Sequence, residues 1–581
     1  VLGVTGHRDL RPQDHPLLEE AVRRILRRLR DSFPSSPLVL LSALAEGADL
    51  LVAELFLREF ADSRDRLVVP LPMPLEEYLL EFSGPESVRR VRAALSRAAR
   101  VDLPPVAPRA GDPARPEDAR ALQYEQVGAF LVRHSQLVIA LWDGQKSRGR
   151  GGTAEVVRFQ LQGIPERYRP AGEPLDPPEG GPVFHVHTPR ASSPDAPGQP
   201  GTTTSLYPGH WSAGEAPPQQ MEALLLGQLE EFNRDVLRLG GGSADAFRTA
   251  SEYLHSTRPG VTYAPLLRPQ ERHTLAVFGA ADTLALQFQR RTRSAVRLLL
   301  GAGVAAVLLN QAYSVRSTQA WVVAYAVWLF TGLLALRIVQ RANWHGRHLN
   351  YRGLAEGLRV QFFWQIARVG ATVSDSYGRA QRHHLDAVRQ ALRFGDLAIH
   401  TDGDGRHEAE VDRITYVHRV WVRDQLHYFA GPDGQGGAIA RDERRLRWVS
   451  RLTGAGFLAA TASIAAVAAG FEVLGPGGRT LVQALSAGTL GISAAAAGYS
   501  KIMGLREHVR DGTKMAELFR RADLALTAAL DGAWDAASPA ETRWRMDQAR
   551  AILLDLGREA LAENADWLIL HRSRPLEFAT G

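Results

Sequence analysis

The chain predicts an α/β N-terminal domain, a Rossmann-like parallel sheet, followed by a mostly α-helical membrane region with about four transmembrane helices. Three observations carry this. Short apolar strands alternate with amphipathic helices over residues 1–190. Two long apolar hairpins occupy the C-terminal half. Mean hydropathy is nonetheless −0.17, so most of the chain reads as soluble.

The elements follow in order. Val1–Thr5 is an apolar strand running into Gly6-His7-Arg8. Over Pro16–Arg30, Leu17, Leu18, Val22, Ile25, Leu26 and Leu29 fall on one helical face. Leu38–Leu41 is the second strand, with a helix from Glu46, and Leu67–Leu71 is the third. A Pro/Arg-rich excursion at 103–117 precedes a helix over Ala119–His134. Leu137–Trp142, the helix Ala154–Leu161 and the strand Val183–His187 complete the domain. Strands this short and apolar belong in a parallel sheet covered on both faces. Residues 191–220 are rich in Pro, Gly, Ser and Thr and predict a flexible linker or insertion. A helical juxtamembrane segment is expected over 221–293, with Met221–Leu239 and Phe278–Arg293 the clearest stretches.

The first membrane hairpin and its following helix are assigned to 294–365, with Ala320–Val339 the clearest span. A cytosolic helical segment is expected over 366–448, with a Gly-rich turn at Gly431–Gly437. The second hairpin and C-terminal helices are expected over 449–581, with spans at Thr453–Val473 and Thr480–Tyr499. A helix of about 20 residues rises about 30 Å, the thickness of a bilayer's hydrocarbon core. The hairpins read as a repeat. Leu299–Gly303 resembles Leu452–Gly456 at an offset of 153 residues, and Ala355–Arg359 resembles Ala516–Arg520 at an offset of 161. Gly488, Gly491, Ala494 and Gly498 are small enough to let helices approach closely.

At 581 residues the chain exceeds one hydrophobic core. Its net charge is +6, and the base is nearly all arginine, the lysines being Lys146, Lys501 and Lys514. The arginines flank the spans: Arg290, Arg291, Arg293 and Arg297, then Arg337, Arg341 and Arg347, then Arg444, Arg445, Arg447 and Arg451, then Arg506 and Arg510. The connecting loops hold Arg316 and Arg479. The positive-inside bias therefore places both termini and the soluble parts in the cytoplasm. No stripe of basic and aromatic residues supports nucleic-acid binding. Cysteine is absent, which excludes a disulfide framework and thiolate chemistry. No signal-peptide pattern is present, and the opening directly into a strand suggests a trimmed start.

Three pieces are expected to meet at the C-terminal edge of the sheet, where open α/β folds bind ligands. The first is Thr5-Gly6-His7-Arg8. Gly6 permits a tight turn, and Arg8 offers a bidentate partner for phosphate. The second is the turn around Glu46, Gly47, Ala48 and Asp49, with small residues that leave N–H groups open to an anion. The third runs from Trp142, Asp143 and Gly144 to Gly151, Gly152, Thr153 and Glu155. Its glycines admit close approach of a phosphate, and Thr153 is expected to cap the next helix. G-x-x-x-x-G-K-[ST] and a G-x-G-x-x-G after the first strand are both missing, which argues against a P-loop NTPase or a dehydrogenase.

These three pieces together resemble the SLOG superfamily of Rossmann-like domains, over about residues 1–190. The C-terminal part is similar to the SLATT class of two-helix membrane effectors. The residues that suggest it are Ala281-Asp282, Tyr351-Arg352 with Ala355-Glu356, and Trp421-Val422-Arg423-Asp424-Gln425 with Tyr428. The resemblance implies a membrane-anchored sensor of a nucleotide or nucleotide-derived signal, acting as a membrane effector in prokaryotic conflict or immunity. Its partners would be a small nucleotide-type ligand, membrane lipids and further copies of itself, at the cell inner membrane, with no cofactor or metal. Relatives that cleave nucleoside N-glycosidic bonds carry a motif like P-G-G-x-G-T-x-x-E. Here Glu155 follows Thr153 by two residues instead of three, a rotation of about 100° on a helix. Glu155 is the catalytic candidate if the chain is a nucleotide or NAD-derivative hydrolase, and helix capping is the plainer role. A constitutive membrane scaffold or channel is the third reading.

Lesser signals are read conservatively. His407-Glu408-Ala409-Glu410 lacks the second histidine of a zinc helix and reads as a loop, and His383-His384 as surface. Trp344, Phe362, Phe363 and Trp364 suit an interfacial belt or a core patch. Asp282, Glu356 and Glu517 suit salt bridges or, alternatively, a charged ring in a pore.

Overall fold

A computed structural model describes residues 1–60, 65–106, 116–146, 149–169, 180–193, 198–209, 217–255, 266–316, 318–377, 382–399, 410–432, 436–469 and 475–572. The chain forms two compact units. One comprises Val1–Ala244, Arg268–His273 and Ala371–Arg406, and the other Asp245–Leu267, Thr274–Gly370 and His407–Gly581.

The first unit is built on a sheet of seven strands: β1 (Leu2–Gly6), β2 (Val39–Leu41), β3 (Arg66–Leu71), β4 (Ala98–Asp102), β5 (Leu137–Trp142), β6 (Val183–His187) and β7 (Thr203–Leu206). Their spatial order is β4-β3-β2-β1-β5-β6-β7. All pairs are parallel except β6 with β7. The helices are α1 (His15–Ser32), α2 (Ala48–Glu59), α3 (Leu75–Leu79), α4 (Pro85–Leu95), α5 (Pro116–His134) and α6 (Thr153–Gln162).

Alternation of side chains along each strand divides the core in two. Leu2, Val4, Leu40, Leu67, Val69 and Ile139 pack with Leu18, Val22 and Leu26 of α1 and Leu51 and Phe56 of α2. Val39, Leu41, Val68, Val138, Ala140 and Val183 pack with Val127, Phe130 and Leu131 of α5 and Val156, Val157 and Phe159 of α6. Both faces are covered, which is why the strands read as continuous apolar runs.

Two strands lie outside the sequence reading. β4 carries Ala98, Ala99, Arg100 and Asp102, of which Ala99, Arg100 and Asp102 are exposed, so its apolar signal is weak at this sheet edge. β7 falls inside the expected linker 191–220, where Thr203–Leu206 forms the antiparallel edge against β6. Backbone pairing, not burial, holds this strand made of Thr, Thr, Ser and Leu. The expected segment 366–448 is also divided, since Ala371–Arg406 belongs to the first unit. There Asp375 accepts from Arg133 of α5 at 2.5 Å.

The helix α7 (Pro218–Leu254) is followed by the membrane region. The first hairpin is α8 (Pro269–Arg316) and α9 (Gln319–Ala342), followed by α10 (Trp344–Ala367). Next come α11 (Val373–Ser376) and α12 (Arg382–Ile399) of the first unit, then α13 (Glu410–Val417), a π-helical turn His418–Arg423 and α14 (Asp424–Ala430). The second hairpin is α15 (Ala438–Ala468) and α16 (Pro476–Ile502), followed by α17 (Leu505–Trp534) and α18 (Pro539–Arg572).

Among the described residues, four helices are long and apolar enough to cross a membrane, with mean hydropathies of 1.6, 2.0, 1.3 and 1.3 in their most apolar windows. At most 17% of any of those windows is buried against protein. Val323, Phe330, Leu458 and Leu485 are all exposed. A soluble core would bury such residues; a bilayer accepts them. The second hairpin packs on the first through its small residues. A Cβ at Gly488 would stand 3.1 Å from Leu308, and at Gly491 3.7 Å from Val307.

Each hairpin ends in the same break. Asn343 adopts φ 48°, ψ 34° between α9 and α10, and Gly504 adopts φ 60°, ψ 36° between α16 and α17. These positions are 161 residues apart, the offset that relates Ala355–Arg359 to Ala516–Arg520. At that offset Leu354, Ala355 and Leu358 correspond to Met515, Ala516 and Phe519, and all six are buried. The left-handed conformation ends one helix and starts the next, a role for which Gly and Asn are suited.

Below the spans, Phe362, Phe363 and Trp364 form a core patch, not an interfacial belt. Phe363 stacks on Trp421 at 5.3 Å, and Trp364 donates to the Leu553 carbonyl at 3.0 Å. Asp282 and Glu356 are ion-paired with Arg352, Glu356 with Arg359 at 2.9 Å, and Glu517 with Arg520. These are the salt bridges of the plainer reading. His407, Glu408 and Ala409, and the side chains of His383 and His384, lie outside the described residues.

Candidate functional site

The chain builds β1 to β4 on one side, then crosses to β5 and β6 on the other. The topological switch point therefore lies between β1 and β5, whose register pairs Gly6 with Leu141. Gly6-His7-Arg8 leaves β1, and Asp143-Gly144 leaves β5, side by side at that edge. Ligands of open α/β sheets bind at this place.

His7 is buried where the chain leaves β1. Its Nε2 accepts the Asp143 backbone N–H at 2.9 Å. That donor requires an unprotonated Nε2, so the ring is neutral and its proton sits on Nδ1. Burial, seconded by the Arg190 charge, pushes His7 down to about 4. The Asp143 Oδ1 atom, 3.2 Å from Nε2, is satisfied instead by the Gln145 N–H at 3.0 Å. Its Oδ2 accepts from Arg190 at 2.9 Å. Burial opposes ionisation of Asp143, but the Gln145 N–H and the His7 and Arg190 contacts prevail and hold it below the usual carboxylate range. His7 and Asp143 are both buried, so they hold the turn together and leave ligand contact to their neighbours.

The first two turns are pressed together by glycine. A Cβ on Gly6 would stand 2.3 Å from that of Ala48. Close approach, not a positive φ, thus explains Gly6. A Cβ on Gly47 would stand 2.3 Å from the Arg8 carbonyl, and Gly47 has φ 89°. The Ala48 N–H donates to the His7 carbonyl at 3.0 Å. Leu44, fully buried in the same loop, is held at φ 55°, a conformation costing a branched side chain of order 1–3 kcal/mol. The Glu46 carboxylate accepts from the Ser83 N–H at 3.1 Å and from the Ser83 and Ser87 hydroxyls. Burial opposes its charge, but these donors outweigh it and lower its pKa.

Arg8 is an exposed cation at the edge. Its guanidinium lies 5.4 Å from the centre of the Tyr124 ring and 4.0 Å from Glu81. Beneath it Asp49, 6% exposed, accepts the backbone N–H groups of Ala45 and Gly6, and burial raises its pKa to about 7 against the pull of Arg8. Tyr78 donates to the Ala43 carbonyl at 3.0 Å.

The third piece is a helix start. Gly151 has φ 72°, and Gly152 is the residue before α6. Thr153 begins the helix and makes no capping bond, contrary to expectation. The cap comes from Glu155: its Oε2 accepts the Gly151 N–H at 2.6 Å, and Oε1 pairs with Arg158 at 2.9 Å. The amides of Thr153 and Ala154 have no hydrogen-bond partner among the described residues. They carry the partial positive charge of a helix start. Gly144, at φ 81°, has open space where a side chain would be. Thr5 is buried within the sheet, in register with Ala140, and does not reach the edge.

Of the expected residues, the geometry brings Gly6, His7, Arg8, Gly47, Ala48, Asp143 and Gly144 together, with Gly151 joined through Tyr124. Glu46 and Glu155 are spent on structural bonds. Tyr78, Tyr124 and Arg190 were missed. Arg190 stands three residues past β6, a signal an edge-of-sheet rule finds; Tyr124 lies on α5, where no strand-end rule looks. Among the described residues no cluster of His, Asp or Glu suits a metal ion. The arrangement gathers the Arg8 and Arg190 guanidinium groups, a helix start and glycine turns at one edge of the sheet. No family model matches the chain, and no curated protein matches it either.

Proposed function

We propose that this chain is a membrane-anchored sensor of a nucleotide or nucleotide-derived signal, acting on the membrane that holds it, in a prokaryotic conflict or immunity setting. The observation that carries the reading is the exposed Arg8 guanidinium at the β1/β5 switch point of a chain with four candidate membrane spans. A cationic, glycine-rich sheet edge suits a phosphorylated ligand. The resemblance to SLOG and SLATT proteins supports the pairing of ligand and membrane. The arginines flanking the spans favour the cell inner membrane with cytoplasmic termini. Ligand binding shifts a homo-oligomer toward a membrane-perturbing state by its difference in affinity for the two states.

The hydrolase alternative is weaker on one specific ground: the Glu155 carboxylate caps α6 and pairs with Arg158. A permeability assay in cells expressing the chain separates the readings. Arg8→Ala and Gly152→Asp are expected to abolish nucleotide binding and membrane damage together. Unchanged binding and damage in both variants refutes the sensor, and base release lost only in Glu155→Gln reinstates the enzyme.

A further inference from the structure

Tyr124 stands on α5, away from every strand-end turn, yet it touches two of them. Its ring lies against the Arg8 guanidinium at 5.4 Å. Its Cβ fills the space that a side chain at position 151 would need, 2.6 Å from an ideal Cβ there. Tyr124 thereby sets the spacing between the Arg8 turn and the start of α6. Its hydroxyl oxygen is shielded from solvent and faces the Arg8 guanidinium as a donor, but no acceptor for the hydroxyl's own proton is found among the described residues. A buried hydroxyl proton without an acceptor costs stability, and such groups in native structures call for an explanation.

The surrounding groups do not supply one. Arg8 can only donate. The Tyr78 hydroxyl already donates to the Ala43 carbonyl at 3.0 Å. Asp49 is occupied by the amides of Ala45 and Gly6. Glu81 is engaged by Arg120 at 2.8 Å and lies 4.0 Å from Arg8. What is missing is an acceptor beside Arg8, and a phosphate oxygen is one.

We propose that Tyr124 is a ligand-contacting residue whose hydroxyl donates to an oxygen of a phosphate monoester paired with Arg8. The two residues then select a terminal phosphate over the uncharged nucleoside. This rests on the site being a phosphate site. The Arg8 side of the ring is covered, so Tyr124 contributes its hydroxyl and not that stacking face.

The test titrates the whole chain in detergent with AMP, and with adenosine as the uncharged control. Tyr124→Phe is expected to weaken AMP binding roughly tenfold or more, as loss of a hydrogen bond to a charged group does. Adenosine binding is expected to stay the same, and the ligand-free melting temperature to hold, because the ring keeps its contacts with Arg8 and Gly151. Equal AMP affinity in Tyr124→Phe, with Arg8→Ala weakened, overturns the Tyr124 assignment alone. No AMP binding by the unmodified chain, or binding indifferent to Arg8→Ala, overturns the phosphate site and this inference together.

Discussion

Replacing Asp49 by Asn is expected to stabilise the N-terminal unit at neutral and alkaline pH, and not at acid pH. The carboxyl ionises near 3.8 in an exposed chain and near 7 in the fold, where burial dominates. Between those values the folded state keeps a proton that the unfolded state has released. Stability linked to this group is complete below about pH 4 and is lost as pH rises to about 7. Three pH units correspond to about 4 kcal/mol at most, at about 1.36 kcal/mol per unit. With Asp49 only 6% exposed, solvent screening reduces this little. Asn keeps the shape and an acceptor oxygen for the Gly6 and Ala45 amides but carries no charge. Hydrogen exchange of the Leu2–Gly6 peptide, corrected for intrinsic rates, reads the effect in the detergent-solubilised chain. Protection in the two proteins is expected to converge near pH 4 and to favour Asp49→Asn by a few kcal/mol near pH 8. Parallel pH profiles would refute the buried, proton-holding carboxyl.

Three other outcomes follow from close contacts and caps. Gly47→Ala places a Cβ 2.3 Å from the Arg8 carbonyl at φ 89°, and is expected to cost at least about 2 kcal/mol and to lower the melting temperature of the unit; an unchanged melt contradicts the contact between turns. Gly557→Ala places a Cβ 2.5 Å from the Trp364 ring and should loosen α10 from α18 by about 1–3 kcal/mol, visible as lost near-UV dichroism; a native spectrum with an unchanged melt argues against that packing. Glu155→Gln weakens the α6 cap and removes the exposed pair with Arg158, for a loss of about 0.5–1 kcal/mol in chemical denaturation; nucleotide affinity is expected to persist, and its collapse would make Glu155 a ligand contact.

The sheet and the spans were legible because runs of apolar residues mark both. Val138, Ile139, Ala140 and Leu141 are apolar in succession because both faces of β5 are covered. Leu329, Phe330, Leu333 and Leu334 are exposed on a helix long and apolar enough to cross a membrane. β4 and β7 escaped because edge strands need few apolar residues. The site was half legible. Gly6, Gly47 and Gly151 mark close approaches, and each sits where a side chain would collide. What they approach was hidden: Tyr124 is distant in sequence from Arg8, and its part comes from the packing of α5. Glu155 was recognised as acidic at a helix start, but whether a carboxylate caps or reacts is decided by the donors around it.

The proposed sensor couples phosphate binding at Arg8 to helices that act on a bilayer. Dye release from vesicles carrying the purified chain, on addition of a nucleotide such as AMP, reads that coupling. The prediction is nucleotide-dependent release by the unmodified chain and none by Arg8→Ala at equal incorporation. Release that ignores both the nucleotide and Arg8, or a chain that leaves membranes in alkaline carbonate, would contradict it.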